Sequence, residues 1–207
     1  MHEFFISYPL TEFLTFLVAG LVLNLTPGAD VIFATACGLS GGPRAGIMAG
    51  LGVGLGGLWH VGLATLGISA LIAAEPAALA ALRYGGAAYL LWLAVRSWRG
   101  GGLAAGTRGA RHPSGALWRG FVTNALNPKV ALFVLAFLPQ FAHPEYGPVW
   151  VQILLLGLVF SLTGTVVTMS YGALAGRFGA SLARGAGKLD KISAVLFTGL
   201  AGKLLLD

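Results

Sequence analysis

One acid, one base and one histidine stand inside long apolar stretches of this chain: Asp30, Lys129 and His60. An ionised side chain at the centre of a bilayer costs from about 2.5 to over 10 kcal/mol, so Asp30 and Lys129 are not expected to face lipid. Each belongs to a helix-breaking motif. Asn24-Leu25-Thr26-Pro27-Gly28-Ala29-Asp30 places a proline and a glycine ahead of the acid. Asn124-Ala125-Leu126-Asn127-Pro128-Lys129 repeats the plan with a base, Pro128 following Pro27 by 101 positions. In both motifs a good N-cap residue (Thr26, Asn127) precedes the proline, the order expected where a helix starts.

The chemistry open to such groups is recognition of a zwitterion. Asp30 suits an ammonium and Lys129 a carboxylate. The N–H groups at two half-helix starts, around Pro27-Gly28 and Pro128, add donors, and Asn24, Thr26, Asn124 and Asn127 add neutral polar groups. Asp30 and His60 are the candidates for carrying a coupled proton. A plainer reading stands beside each assignment. Asp30 and Lys129 could form a structural salt bridge, the asparagines could satisfy backbone groups freed by the prolines, and His60 could be a hydrogen-bonded core histidine.

The elements that position these residues follow from composition. With 57% hydrophobic and 10% charged residues and a mean hydropathy of +0.82, the chain reads as an integral membrane protein of the all-α class. Its single Cys37 excludes a disulfide framework, a CxxC redox pair and thiolate zinc sites. The net charge of +6 could suggest nucleic acid, but the bases flank apolar runs, where they set topology instead. The N-terminus lacks a basic n-region before a run too long for a signal peptide, so the first span is expected to stay uncleaved.

A span needs about 20 apolar residues. Six windows fit or nearly fit, the last being short: Leu10 to Ala36, Gly46 to Ala73, Ala77 to Val95, Leu117 to Gln140, Val149 to Ala175 and Ile192 to Leu206. Since the motifs recur in spans one and four, the chain reads as two three-helix repeats, residues 1–99 and 117–207, joined by a Gly/Arg-rich linker at 100–116. An odd number of spans per repeat inverts the second relative to the first, with helices 1 and 4 interrupted near the midplane. Ten of the thirteen bases lie in or beside the loops after spans one, three and five, so those loops are expected in the cytoplasm and both termini outside. Trp98 and Trp118 then mark the inner interface, and Tyr146 and Trp150 the outer one. Arg83 is expected to snorkel and Gln140 to cap span four or line an exit.

Gly42, Gly46, Gly50 and Gly54 recur at every fourth position in span two, the pattern of closely approaching membrane helices. The GxGxxG formed by Gly52, Gly54 and Gly57 lacks the preceding strand that a dinucleotide site requires. An embedded enzyme would need a nucleophile with a base, paired acids or a metal cluster, and the interior residues offer none of these. A passive channel is the other alternative, distinguished by flux that neither saturates nor follows a proton gradient.

The two Pro motifs, together with Gly41-Gly42-Pro43-Arg44-Ala45-Gly46, Trp59-His60, Gly85-Gly86-Ala87-Ala88-Tyr89-Leu90, Gly120-Phe121-Val122-Thr123 leading into Asn124, and Phe137-Leu138-Pro139-Gln140-Phe141, resemble the lysine exporter (LysE/RhtB) family. The resemblance covers nearly the whole chain. Many members read Pro-Gly-Pro where this sequence has Pro27-Gly28-Ala29. The resemblance implies export of amino acids or close derivatives across a prokaryotic cytoplasmic membrane, driven by the proton gradient or membrane potential. The expected partners are an amino-acid substrate and the lipid bilayer, a homo-oligomer being left open, and no cofactor, metal or nucleic acid is expected.

Overall fold

The computed structural model describes residues 8–74, 76–99, 108–179, 191, 194, 195, 197–199, 201, 202 and 205. Among them every regular element is helical. The α-helices are α1 (Leu10–Leu25), α2 (Ala29–Ala74), α3 (Pro76–Trp98), α4 (Pro113–Ala125), α5 (Pro128–Leu132) and α6 (Val149–Phe178). Two stretches, Ala29–Gly67 and Val149–Phe178, are long and apolar enough to cross a membrane, with mean hydropathies of 1.5 and 2.0. A third crossing is available to Pro113–Ala125 with Pro128–Phe141 if that pair, bent by 49°, forms one span. Residues 192, 193, 196, 200, 203, 204 and 206 of the expected sixth span lie outside the described residues, as do residues 100–107 of the linker, Glu75 and the Arg83 side chain. The helical residues Ala194, Phe197 and Ala201 are buried.

The expected interruption in span one is present. Helix α1 stops at Leu25, and Thr26 has extended backbone (ψ 120°) before α2 opens at Ala29. Helix α2 is itself two helices joined at Gly42, whose φ of 78° lies in the left-handed region that glycine alone enters freely. Gly38 and Gly46, one on each side of this kink, both abut Gly172 of α6. Helix α4 begins at Pro113, since proline suits a first helical position.

Beyond α5 the helix changes pitch, running as a π-turn over Phe133–Phe137 and a 3-10 turn over Leu138–Phe141. Pro139 explains the change, since it has no N–H for Leu135 and its ring crowds that carbonyl. Gln140 Nε2 donates to Ala136 O at 2.9 Å, satisfying one carbonyl of this irregular segment. Phe133, Phe137 and Phe141 stand in one column with centroid spacings of 4.9 and 5.1 Å. Phe16 closes one end at 5.5 Å and Phe160 the other at 4.6 Å. Tyr8, whose hydroxyl burial holds in its protonated form, donates to Phe141 O at 2.6 Å.

The glycines of α2 serve two neighbours. Gly46, Gly50, Gly54 and Gly57 face Gly172, Met169, Thr165 and Ser161 of α6, whereas Gly52 and Gly56 face Leu117 and Asn124 of α4. Helix α2 is thereby wedged between the other two at backbone contact distance. A Cβ on Gly172 would lie 2.5 Å from Gly46 O, with no side chain able to yield. Gly172→Ala is therefore expected to lower stability by about 1–3 kcal/mol. Gly62→Ala, which meets nothing within 4 Å, should be neutral. Thermal unfolding of the detergent-purified variants makes the comparison.

Candidate functional site

Each proline deprives one carbonyl of its helical partner, because the N–H that would bond residue i−4 is missing. Pro27 does this to Leu23, and Pro128 to Asn124. Leu23 O is bonded from elsewhere, whereas Asn124 O accepts locally from Asn127 N at 2.8 Å and takes a second partner. Lys129 Nζ donates to Leu23 O at 3.1 Å and to Thr26 O at 3.2 Å. His60 Nε2 lies 2.9 Å from Asn124 O. A carbonyl only accepts, so Nε2 carries the hydrogen there.

The two helix starts are built differently. At the second, Asn127 is the expected N-cap: its Oδ1 accepts from Lys129 N at 3.0 Å. At the first, the expectation that Thr26 caps α2 fails. The Thr26 hydroxyl turns back to donate to Val22 O at 2.6 Å, and the first bond of α2 is Ile32 N to Gly28 O at 2.9 Å. Gly28 thus holds the cap position and Thr26 terminates α1. Gly28 also makes room for Lys129, since a Cβ on it would sit 3.0 Å from Nζ.

Asp30, in the first turn of α2, receives the second break. Its Oδ2 accepts from Asn124 Nδ2 at 3.0 Å and Asn127 Nδ2 at 2.8 Å. All four residues are buried, Asp30 being 6% and Lys129 8% exposed, which keeps both charges out of lipid. The Asn124 and Asn127 side chains therefore serve the carboxylate, and Asn127 also satisfies the Lys129 backbone N–H, as the plainer reading allowed for backbone groups. Nor do Asp30 and Lys129 form the salt bridge that a plainer reading allowed. Among the described residues the ion pair is Glu12 with His143 at 3.9 Å, far along the sequence from either charge.

The two charges instead share a cavity. Asn24, Asp30, Asn124 and Lys129 line it from the breaks, Val53, Gly54 and Gly57 from α2, and Phe160, Ser161, Gly164, Thr165 and Thr168 from α6. Asn24 faces α6, donating to Phe160 O and Thr163 Oγ1 at 3.1 Å each. Asp30 Oδ1 and Asn124 Oδ1 are buried acceptors with no hydrogen-bond partner. Lys129, with three N–H donors, has two engaged on carbonyls and one left. The cavity therefore offers unused acceptors and one unused cationic donor. Its volume of about 20 Å³ admits one or two waters, so a larger ligand requires the helices to part.

Pro27 and Pro128 create the breaks without lining the cavity, and His60 stands behind Asn124. The α6 wall was not anticipated from the sequence. Ser161, Thr165 and Thr168 follow i, i+4, i+7 spacing, which puts three hydroxyls on one helical face.

An acid and a base held at helix breaks among apolar helices is the make-up of a membrane transport protein. Residues 21–207 match the family described as LysE type translocator, and the chain belongs to that family. It is a transporter and not an enzyme. A homoserine/homoserine lactone efflux protein of Salmonella typhimurium is 33% identical over 169 residues, 80% of this chain and 81% of the relative. A leucine efflux protein of Enterobacter sp. is 31% identical over 209 residues, 97% and 98% of the two chains. An uncharacterized membrane protein of Vibrio cholerae is 33% identical over 168 residues, 80% and 82%. No solved structure matches.

Asn127 holds both the Lys129 amide and the Asp30 carboxylate. Asn127→Ala is expected to cost about 2–4 kcal/mol, a lost cap plus a lost charge-assisted hydrogen bond. Asn127→Ser, which keeps a capping oxygen, should recover about 1 kcal/mol of that. Thermal unfolding curves of the two purified variants check the difference.

Proposed function

We propose that the protein is a secondary active transporter that exports amino acids or close derivatives from the cytoplasm. The reading rests on one observation: unpaired Asp30 Oδ1 and Asn124 Oδ1 share a buried cavity with the incompletely used Lys129 ammonium. The two oxygens suit a substrate ammonium, and Lys129 with the amides at the α2 start suits its carboxylate. Asn24 and the α6 hydroxyls surround the remainder. The cavity holds one charge of each sign, which leaves no partner for an ionised substrate side chain. A neutral side chain is favoured, in keeping with relatives named for homoserine and leucine efflux.

The proposed architecture is six spans in two inverted three-helix repeats. Its support is the reciprocity of the breaks, each lending a polar side chain to the other. The proposed orientation keeps both termini outside. In its favour, Gly41 abuts Arg111 and Gly176 abuts Pro43, which gathers the neighbourhoods of Arg44, Arg111 and Arg177 at one end.

Coupling is assigned to Asp30, the one acid among the residues lining the cavity. Protonation of Asp30 removes its hold on a substrate ammonium, so proton entry and substrate release are alternatives at one group. His60, bound to the Asn124 carbonyl, positions that asparagine and is the second candidate for the proton.

Asn at position 30 can still accept from both asparagine amides, so the Asp30→Asn variant is expected to reach the membrane at near wild-type abundance. Gradient-driven efflux should fall at least 100-fold, as should that of Asp30→Asn with Lys129→Met. The measurement is membrane abundance beside amino acids released by dipeptide-fed cells. Wild-type efflux by the double variant would end the assignment of the pair to substrate. A wild-type protein that releases no amino acid selectively would end the exporter reading itself.

A further inference from the structure

A second site lies away from the central cavity, where the segment after the linker crosses the first part of α2. Arg108, Gly109 and Arg111 form a cleft of about 490 Å³ with Ala36, Leu39 and Ser40. The backbone of this segment is fixed. Ala110 N donates to Cys37 Sγ at 3.1 Å, Arg119 Nη2 donates to Arg108 O at 2.9 Å, and Gly109 lies against the Ala36 backbone. Arg108 and Arg111 themselves are exposed. The nearby Arg119 guanidinium is engaged, 5.2 Å from the centre of the Phe33 ring as well as on Arg108 O.

Among the described residues no acid stands at this cleft. The sequence has no acid between Glu75 and Glu145. Among the described residues the acids are Glu12, Asp30 and Glu145. Glu12 is paired with His143, Asp30 is buried at the central site, and Glu145 follows His143 in the opposite loop. Two exposed arginines on a fixed backbone thus border a cleft whose other wall is Ala36, Leu39 and Ser40, with Leu39 58% exposed. Trp118, 65% exposed on α4, marks a membrane interface at this end.

We propose that this cleft binds the phosphate headgroup of an anionic phospholipid, with Arg108 and Arg111 on the phosphate and a lipid chain along Leu39. Two arginines on one phosphate match the group in charge and hydrogen-bond geometry. The anionic leaflet supplies the negative charge that this part of the chain lacks. The site is independent of the substrate reading, and its occupant would hold the 108–111 segment against the Gly42 kink.

The test is native mass spectrometry of the detergent-purified full chain, titrated separately with phosphatidylglycerol, phosphatidylethanolamine and inorganic phosphate. Phosphatidylglycerol should bind most tightly. Its affinity should fall about thirtyfold in Arg108→Gln with Arg111→Gln. Arg44→Gln with Arg177→Gln, which removes the same charge from the same end but not from the cleft, should lower it by less than about threefold. Equal loss in both double variants would overturn the site, as would equal binding of phosphatidylethanolamine. Inorganic phosphate bound as tightly as the lipid would make it a free-anion site and overturn the lipid assignment. If the arginine variant is not recovered folded, a photoreactive phosphatidylglycerol on the wild type decides. Labels at Leu39, Ser40 and 108–111 uphold the proposal, and labels only elsewhere overturn it.

Discussion

The structure depends on how two carbonyls that lost their helical partners are satisfied in a medium without water. Pro27 frees Leu23 O and Pro128 frees Asn124 O, and a buried orphan of this kind costs about 1–3 kcal/mol. Lys129 covers the first, and the second is shared by the Asn127 N–H and His60. Lys129 comes from the second motif, so the first break depends on the second. Lys129 also meets the negative end of α1, where the last carbonyls and the macrodipole favour a cation. Asp30 lies at the positive end of α2, where they favour an anion. Each charge is thereby held by helix-terminus dipoles and hydrogen bonds, without the other as a direct partner.

This arrangement explains why the remainder must fit so closely. The hydrogen bonds across the breaks tolerate little drift, and lipid supplies no hydrophobic force to press the helices together. Backbone contact supplies the precision instead. Gly46 against Gly172 and Gly56 against Asn124 place α2, α4 and α6 at fixed separations. The contact at Gly56 bears directly on the side chain that bonds Asp30. A methyl group there would displace the carboxylate's partner before it disturbed any apolar surface.

Much of this was legible in the residues. The two breaks, the burial of Asp30 and Lys129, the Asn127 cap and the glycine stripe all follow from proline, charge and spacing in apolar runs. Other features turned on alternatives that sequence alone leaves level. Thr26 and Asn127 are both good caps, yet Gly28 follows Pro27 and takes the cap position itself, leaving the Thr26 hydroxyl to bond backward. An acid and a base in matched motifs suggest an ion pair, but the carbonyls freed by the prolines compete for the ammonium. The hydroxyls of α6 carry no breaker or charge to mark them. The π-turn at Phe133–Phe137 is visible only once Pro139 is known to sit inside a continuing helix.

The closeness of the two charges without contact also bears on how the proposed transport could run. A direct ion pair would have to be broken by each substrate, and removing one partner of such a pair leaves an uncompensated buried charge. Here the resting bonds of Lys129 go to neutral carbonyls and those of Asp30 to neutral amides. A zwitterion can add to the unused valences of both groups without stranding either. It would then bridge the breaks, and its binding energy would favour whichever packing of the helices best surrounds it. The same bonds that satisfy the centre would thus set the geometry that the proposed substrate completes.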